Sequence, residues 1–168
     1  RGLGDVYKRQ VYSFFTLYAN IDNFNFTEKE IKNSEKPELD RWIISELHSL
    51  INEVDCHFSK YEPTKATRSI SKFVQLYLSN WYVRLSRRRF WKGSYEGDKI
   101  SAYQTLFTCL IEIAKISSPI APFFMDRLYC DLISNTKFES FNSVHHTTFP
   151  ISNSELIELE LQKKIRKA

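Results

Sequence analysis

Breakers are scarce in this chain, and that limits its fold more than any other feature. Only 4 Gly and 5 Pro occur in 168 residues, so long stretches run without a residue that ends a helix. Two of the prolines stand at the head of long apolar stripes. Pro37 precedes Leu39, Trp42, Ile43, Leu50, Ile51, Val54 and Phe58, which share one helical face, while Glu38, Asp40, Glu46 and Glu53 lie largely elsewhere. Pro63 precedes Ala66, Ile70, Phe73, Val74, Tyr77, Trp81 and Leu85 at steps of three, four and seven. Proline suits the first turn, where its missing N–H has no helical partner, and a stripe of this period marks an amphipathic helix. The spacing predicts helices over about 37–60 and 63–88.

Shorter helices are predicted on either side. Phe14, Leu17, Tyr18 and Ile21 form a stripe within 11–21, followed by a polar, Asn-rich loop over 22–36. Beyond a loop bracketed by Gly93 and Gly97, Asp98 is a candidate N-cap for a helix to about 116 that carries Ala102, Leu106, Leu110, Ile113 and Ala114 inward. Pro119 and Pro122 stop it, because the residue before a proline avoids helical geometry, and a helix over about 122–133 follows. Residues 134–153 read as irregular, and Ser154 can cap a last helix that is still amphipathic where the sequence ends, as if truncated. The fold class expected is all-α, an antiparallel helical bundle with short connections. Residues 11–133 form the bundle, 134–168 an irregular extension with the truncated helix, and 1–10 (RGLGDVYKRQ) a foreign segment such as a vector or adapter scar. The alternative for 1–10 is an authentic loop.

Composition excludes several classes of function. The apolar share of 42% and aromatic share of 15% suffice for a real core. No apolar run approaches the roughly 18 residues of a membrane span, and no signal peptide is visible. Cys56, Cys109 and Cys130 are odd in number and far apart, which points to reduced thiols in a cytoplasmic protein. There is no Gly-rich phosphate loop and no H-E-x-x-H string. His48 and His57 lie nine apart and His145 and His146 are adjacent, both poor spacings for a shared metal, while Glu28/Glu30 and Glu158/Glu160 read as solvated faces. Neither a catalytic residue nor a metal or cofactor of this chain's own is expected.

One segment stands apart in charge. The net charge is +4, of which Arg1, Lys8 and Arg9 against Asp5 supply +2, so the rest of the chain carries only +2. Against that background NWYVRLSRRRFWK, residues 80–92, holds Arg84, Arg87, Arg88, Arg89 and Lys92 and no acid. On a helix Trp81, Arg84, Arg88 and Trp91 share a face. Arginines grip phosphate oxygens in a bidentate fork and stack on bases, and aromatics among them suit an RNA with partly splayed bases. Two other readings stay open: a structural cluster whose arginines pair with acids of neighbouring helices, and a patch that docks on a membrane or another protein.

The string LSNWYVRLSRRRFW resembles the anticodon-binding domain of class I aminoacyl-tRNA synthetases of the isoleucine, valine and leucine group. Four other strings resemble parts of that domain in the expected order: LDRWIISELHSLINEV, YEPTKATRSISKFV, SSPIAPFFMDRLYCDL and SVHHTTFP. Upstream, VYSFFTLYANID is similar to the isoleucine enzymes and unlike the valine ones. The resemblance covers about 11–160. It implies a parent enzyme that charges isoleucine tRNA through an adenylate made from ATP with Mg, on a catalytic domain with H-I-G-H-type and K-M-S-K-S-type motifs. Neither string occurs here, nor does anything like the inserted editing domain, which is needed because one methylene discriminates poorly between isoleucine and valine. The partners implied are isoleucine tRNA and the rest of the synthetase in cis. Arg84, Arg87, Arg88, Arg89 and Lys92 would position the RNA through phosphates, which carry no sequence information. Trp91 would stack, and Asn20 and Asp22 would read bases, unless they only terminate the first helix. A valine- or leucine-type domain and a helical module with no RNA role are the competing interpretations.

Overall fold

The helix α5, Gly97–Ser117, is buried on nearly every side, from Ser101 to Phe107 without interruption and on through Cys109, Ile111, Ala114 and Ser117. A helix with no solvent face must lie inside a bundle, and the remaining elements are arranged to cover it. They appear in a computed structural model that describes residues 3–91, 95–134, 136 and 142–167. Every regular element among those residues is helical, giving the all-α antiparallel bundle that the stripes predict. The other helices are α1 (Leu3–Asp22), α2 (Glu38–Ser59), α3 (Pro63–Lys72), α4 (Arg84–Trp91), α6 (Pro122–Ile133) and α7 (Leu159–Arg166). A π-wound segment, Phe73–Val83, joins α3 to α4 without a break. No described helix is long and apolar enough to cross a membrane.

The stripe on α2 buries as expected, with Trp42, Ile43, Leu47, Leu50, Ile51 and Val54 inside. Asp40 and Glu46 differ from expectation: both are buried. Each is met by a cation from a distant helix, so neither needs solvent to stay charged. On α1 the inward row is Val11, Phe15 and Ala19, whereas Leu17 and Ile21, expected in the stripe, are 57% and 65% exposed. Two apolar rows lie side by side on this helix, and the chain buries the one whose Phe15 meets Phe24, Tyr103 and Phe107. The helix also begins at Leu3, eight residues ahead of the predicted start.

The continuous helix from Pro63 changes its winding partway. An α-helix closes each ring between residues i and i+4, a π-helix between i and i+5, so the buried row advances in longer steps through the π segment. Phe73 and Val74, then Leu78, then Tyr82 and Val83 turn inward. This rotates the frame of α4. Leu85, predicted to be core, stands in solvent, and Ser86 and Phe90 are buried in its place.

Loops are tied down at specific points. α1 and α2 end on left-handed residues, Asn23 at φ 54° and Tyr61 at φ 57°, with Phe24 N–H donating to Ala19 O and Glu62 N–H to His57 O, each at 2.9 Å. That pattern satisfies the carbonyls a helix end leaves open. Asp98, predicted to cap α5, sits in its first turn, and the cap position is Glu96 without a side-chain bond; the Asp98 carboxylate binds Arg89 instead. At the other end, Ser154 opens a short 3₁₀ turn capped by Asn153, and α7 starts only at Leu159. The extension before it packs on α2: Ser152 Oγ donates to His48 O at 2.8 Å and the Glu158 N–H to Ser45 Oγ at 2.8 Å.

Candidate functional site

The helix α4 has two unlike sides. Its inner side carries Ser86 and Phe90, and Phe90 meets Phe14 edge to face at 5.1 Å and Tyr103 at 4.9 Å. Tyr18 also lies against Phe90. Both contacts from α1 fall on the Phe90 ring and join that helix to α4. Edge-to-face packing of aromatics adds about 0.5–1.5 kcal/mol per pair beyond burial, so α4 is held by its inner ring. Its outer side carries Arg84, Leu85, Arg87, Arg88 and Trp91.

The five predicted basic residues separate on this geometry. Arg84, Arg87 and Arg88 are exposed and have no ion pair or hydrogen bond to another described residue. Three unneutralised guanidinium groups on two turns make a local positive field. Arg89 points the other way. Its guanidinium donates to both oxygens of Asp40, at 2.6 and 2.8 Å, and its Nε donates to Asp98 Oδ2 at 3.0 Å. Burial works against the charge of Arg89, but the hydrogen bonds and charge of Asp40 outweigh it and hold the group protonated more firmly than in water. With its donors taken, Arg89 is a structural member of the cluster. Lys92 lies outside the described residues.

Asp40 has no exposure at all and collects further donors, the Tyr82 hydroxyl at 2.8 Å and the Ser101 hydroxyl at 2.6 Å. Burial and the adjacent carboxylate push the Tyr82 phenol well above its ordinary range, so it serves as a donor. This clasp joins α2, the π segment, α4 and α5. Reading the sequence missed it because Asp40 falls off the apolar stripe.

Among the aromatic candidates, Trp91 is 68% exposed on the arginine side, and Trp81 turns inward against Trp42 at 5.9 Å. The predicted face of Trp81, Arg84, Arg88 and Trp91 therefore loses its first member to the π winding. Asn20 is exposed on α1. Asp22 is engaged: it accepts from Lys99 Nζ at 2.6 Å and from the Tyr103 hydroxyl at 2.5 Å, which anchors the end of α1 to α5.

A groove of about 260 Å³ runs between α1 and the helix beside it, lined by Gln10, Val11 and Phe14 on one wall and by Ser79, Asn80, Val83, Arg84 and Arg87 on the other. It brings two of the predicted arginines against α1. Asn80 opens the basic string and Ser79 immediately precedes it, and only their lack of charge kept them from being singled out.

A family model for the anticodon-binding domain of tRNA ligases matches residues 40–168. Among curated relatives, the chain is 53% identical over 157 residues to an isoleucine–tRNA ligase of Bacteroides fragilis, covering 94% of this chain and 14% of that protein. It is 52% identical over 157 residues to the isoleucine–tRNA ligase of Bacteroides thetaiotaomicron, with the same coverage. The isoleucine–tRNA ligase of Dehalococcoides mccartyi is 50% identical over 156 residues, covering 93% of this chain and 15% of that protein. The chain thus spans about one seventh of the length of these relatives. With most of the chain matched, the bundle belongs to the anticodon-binding domains of tRNA ligases.

Proposed function

We propose that this bundle holds the anticodon stem and loop of isoleucine tRNA for an isoleucine–tRNA ligase. The single observation that carries the reading is the outer side of α4, where Arg84, Arg87 and Arg88 stand exposed and unpaired among the described residues beside the exposed Trp91. Guanidinium forks on a folded helix suit the regularly spaced phosphates of an RNA backbone. Trp91 supplies a face on which a base can stack, and Asn20 an amide that can bond a base edge. Arg89 and Asp22 support this side from within. Amino-acid activation, with ATP and Mg, and editing belong to domains of the parent enzyme outside this chain. The location is cytoplasmic, where tRNA is charged. Isoleucine specificity rests on the names of relatives about half identical to this chain.

Titration of isoleucine tRNA against the chain at several salt concentrations tests the reading. Affinity is expected to fall steeply with salt, and the double variant Arg87→Ala/Arg88→Ala should lower the log–log slope by about 1.5–2. Binding that does not depend on salt, or a slope that the double variant leaves alone, would sink it.

A further inference from the structure

Asp98 and Lys99 stand side by side in the first turn of α5, carry opposite charges and hold different neighbours. The Asp98 carboxylate takes Arg89 of α4, at 3.0 Å from Nε and 2.9 Å from Nη2, and the Asp98 carbonyl accepts from Nη2 at 2.8 Å. The buried Lys99 ammonium meets Asp22, at the end of α1, at 2.6 Å. One turn further along, the Tyr103 hydroxyl donates to the same Asp22 carboxylate while its ring packs on Phe90 of α4. Among the described residues no hydrogen bond or ion pair joins residues 18–22 directly to residues 84–91. Beyond the ring of Tyr18 on Phe90, the polar tie between these two helix ends runs through α5.

We propose that Asp98 and Lys99 are positioning residues for RNA binding: this turn of α5 sets the spacing between Asn20 at the end of α1 and Arg88 and Trp91 at the end of α4. The proposal rests on the RNA-binding reading and names what holds its two contact regions in register. Neighbouring residues of a helix point about 100° apart while their Cα atoms stay about 3.8 Å apart. Two short ion pairs can therefore reach two helices from one rigid base. A ligand that touches both helices then finds their spacing already fixed, and less freedom is lost on binding. Folding alone gives Asp98 little to do. Its side chain is 61% exposed, an ion pair this open adds little stability, and Arg89 keeps both oxygens of Asp40 without it. By charge Asp98 works against RNA, because a carboxylate on Arg89, next to Arg88, weakens the positive field there. Charge and position therefore predict opposite signs for the loss of this carboxylate.

The experiment titrates Asp98→Ala, in the full chain, with two RNAs: the isoleucine anticodon stem-loop, and a blunt duplex of the same stem, which offers phosphates but no loop base to Asn20. Urea unfolding is followed alongside. Removal of charge alone would tighten both RNAs. Loss of positioning should weaken the stem-loop about three- to tenfold, leave the duplex unweakened and move the urea midpoint little. Asn20 is exposed, so Asn20→Ala leaves the packing intact. In that background the effect of Asp98→Ala should shrink to roughly twofold or less, because one contact region has no second to be aligned with. Lys99→Met should weaken the stem-loop in the same way; should it fail to fold, Asp22→Asn breaks the same ion pair and keeps an acceptor for Tyr103. Stem-loop affinity unchanged or raised in Asp98→Ala, unchanged in the Lys99 or Asp22 variant, an equal loss on the duplex, or losses that add fully with Asn20→Ala overturn the proposal. If Arg87→Ala/Arg88→Ala still lowers the salt slope in that case, the RNA reading survives. Absence of any salt-dependent binding by the unaltered chain removes both.

Discussion

Asp40 and Glu46 are two buried carboxylates on α2, and each is met by an arginine from another helix. Asp40 is fully enclosed, its partner Arg89 is only 15% exposed in its side chain, and hydroxyls of Tyr82 and Ser101 complete the shell. Glu46 accepts from Trp42 Nε1 at 3.1 Å and from Arg166 at 2.6 and 2.9 Å, but the Arg166 side chain is 47% exposed. The same device is thus built at two depths. At Asp40 no member can return to water, and at Glu46 one can. Removing one partner of an enclosed pair strands a charge, whereas removing one partner of a half-open pair lets the other rehydrate. The enclosed pair lies directly behind the arginine side of α4, and the half-open pair holds α7.

The largest effect should come from breaking the enclosed pair. Asp40→Ala leaves Arg89, Tyr82 and Ser101 without their acceptor and should cost about 3–5 kcal/mol, while Glu46→Ala should cost about 1–3 kcal/mol, chiefly through the buried Trp42 N–H. Urea unfolding of the two variants measures the gap, and equal losses would end the distinction. A pH titration sharpens it. His48 accepts the Asn153 N–H at Nδ1, 3.2 Å away, on the extension leading to α7, and burial pulls its pKa below the usual value. The folded state resists protonation that the unfolded chain accepts near its ordinary value of about 6.5. Stability is therefore complete above that pH and falls as pH drops from there toward the folded pKa. The protection factor of the Asn153 amide, its exchange rate relative to the intrinsic rate at the same pH, should fall across that window while that of the amides around Asp40 does not. The smallest effect is expected away from both pairs. Tyr61 is 93% exposed at φ 57°, and Tyr61→Gly should add up to about 1 kcal/mol by relieving a left-handed residue. A thermal melt that moves downward would show that the ring contributes more than the strain it carries.

Much of this architecture was legible in the residues. The stripes after Pro37 and Pro63, the proline stop near 119–122 and the ordered strings of the synthetase domain located the long helices and the family. The failures share a cause. Asp40, Glu46 and Arg89 are charged, and a charge on a helix reads as solvated until its partner is known; Arg89 and Asp40 lie 49 positions apart. Asp98 was misread for the same reason, since its cap role lost to an ion pair. Leu85 was assigned inward by assuming one winding throughout, and the π segment has no composition that announces it. On α1 two apolar rows competed, and only the position of Phe24, Tyr103 and Phe107 decided between them. The site divided along the same line: exposure of Arg84, Arg87, Arg88 and Trp91 matched the reading of charge and spacing, whereas the engagement of Arg89 and Asp22 depended on tertiary partners.

An unbroken α-helix from Pro63 to Trp91 would turn as one rigid shaft, and the inward row of α3 would dictate which residues of α4 meet the core. The wider winding of Phe73–Val83 works instead as a slipping coupling. It lets two regular stretches keep separate angular settings on a common axis, with Ala66 and Ile70 engaged at one end and Ser86 and Phe90 at the other. The bearing of the arginines around that axis is therefore set by how many residues the coupling contains, so a change in its length redirects the domain's charge while α3 stays seated.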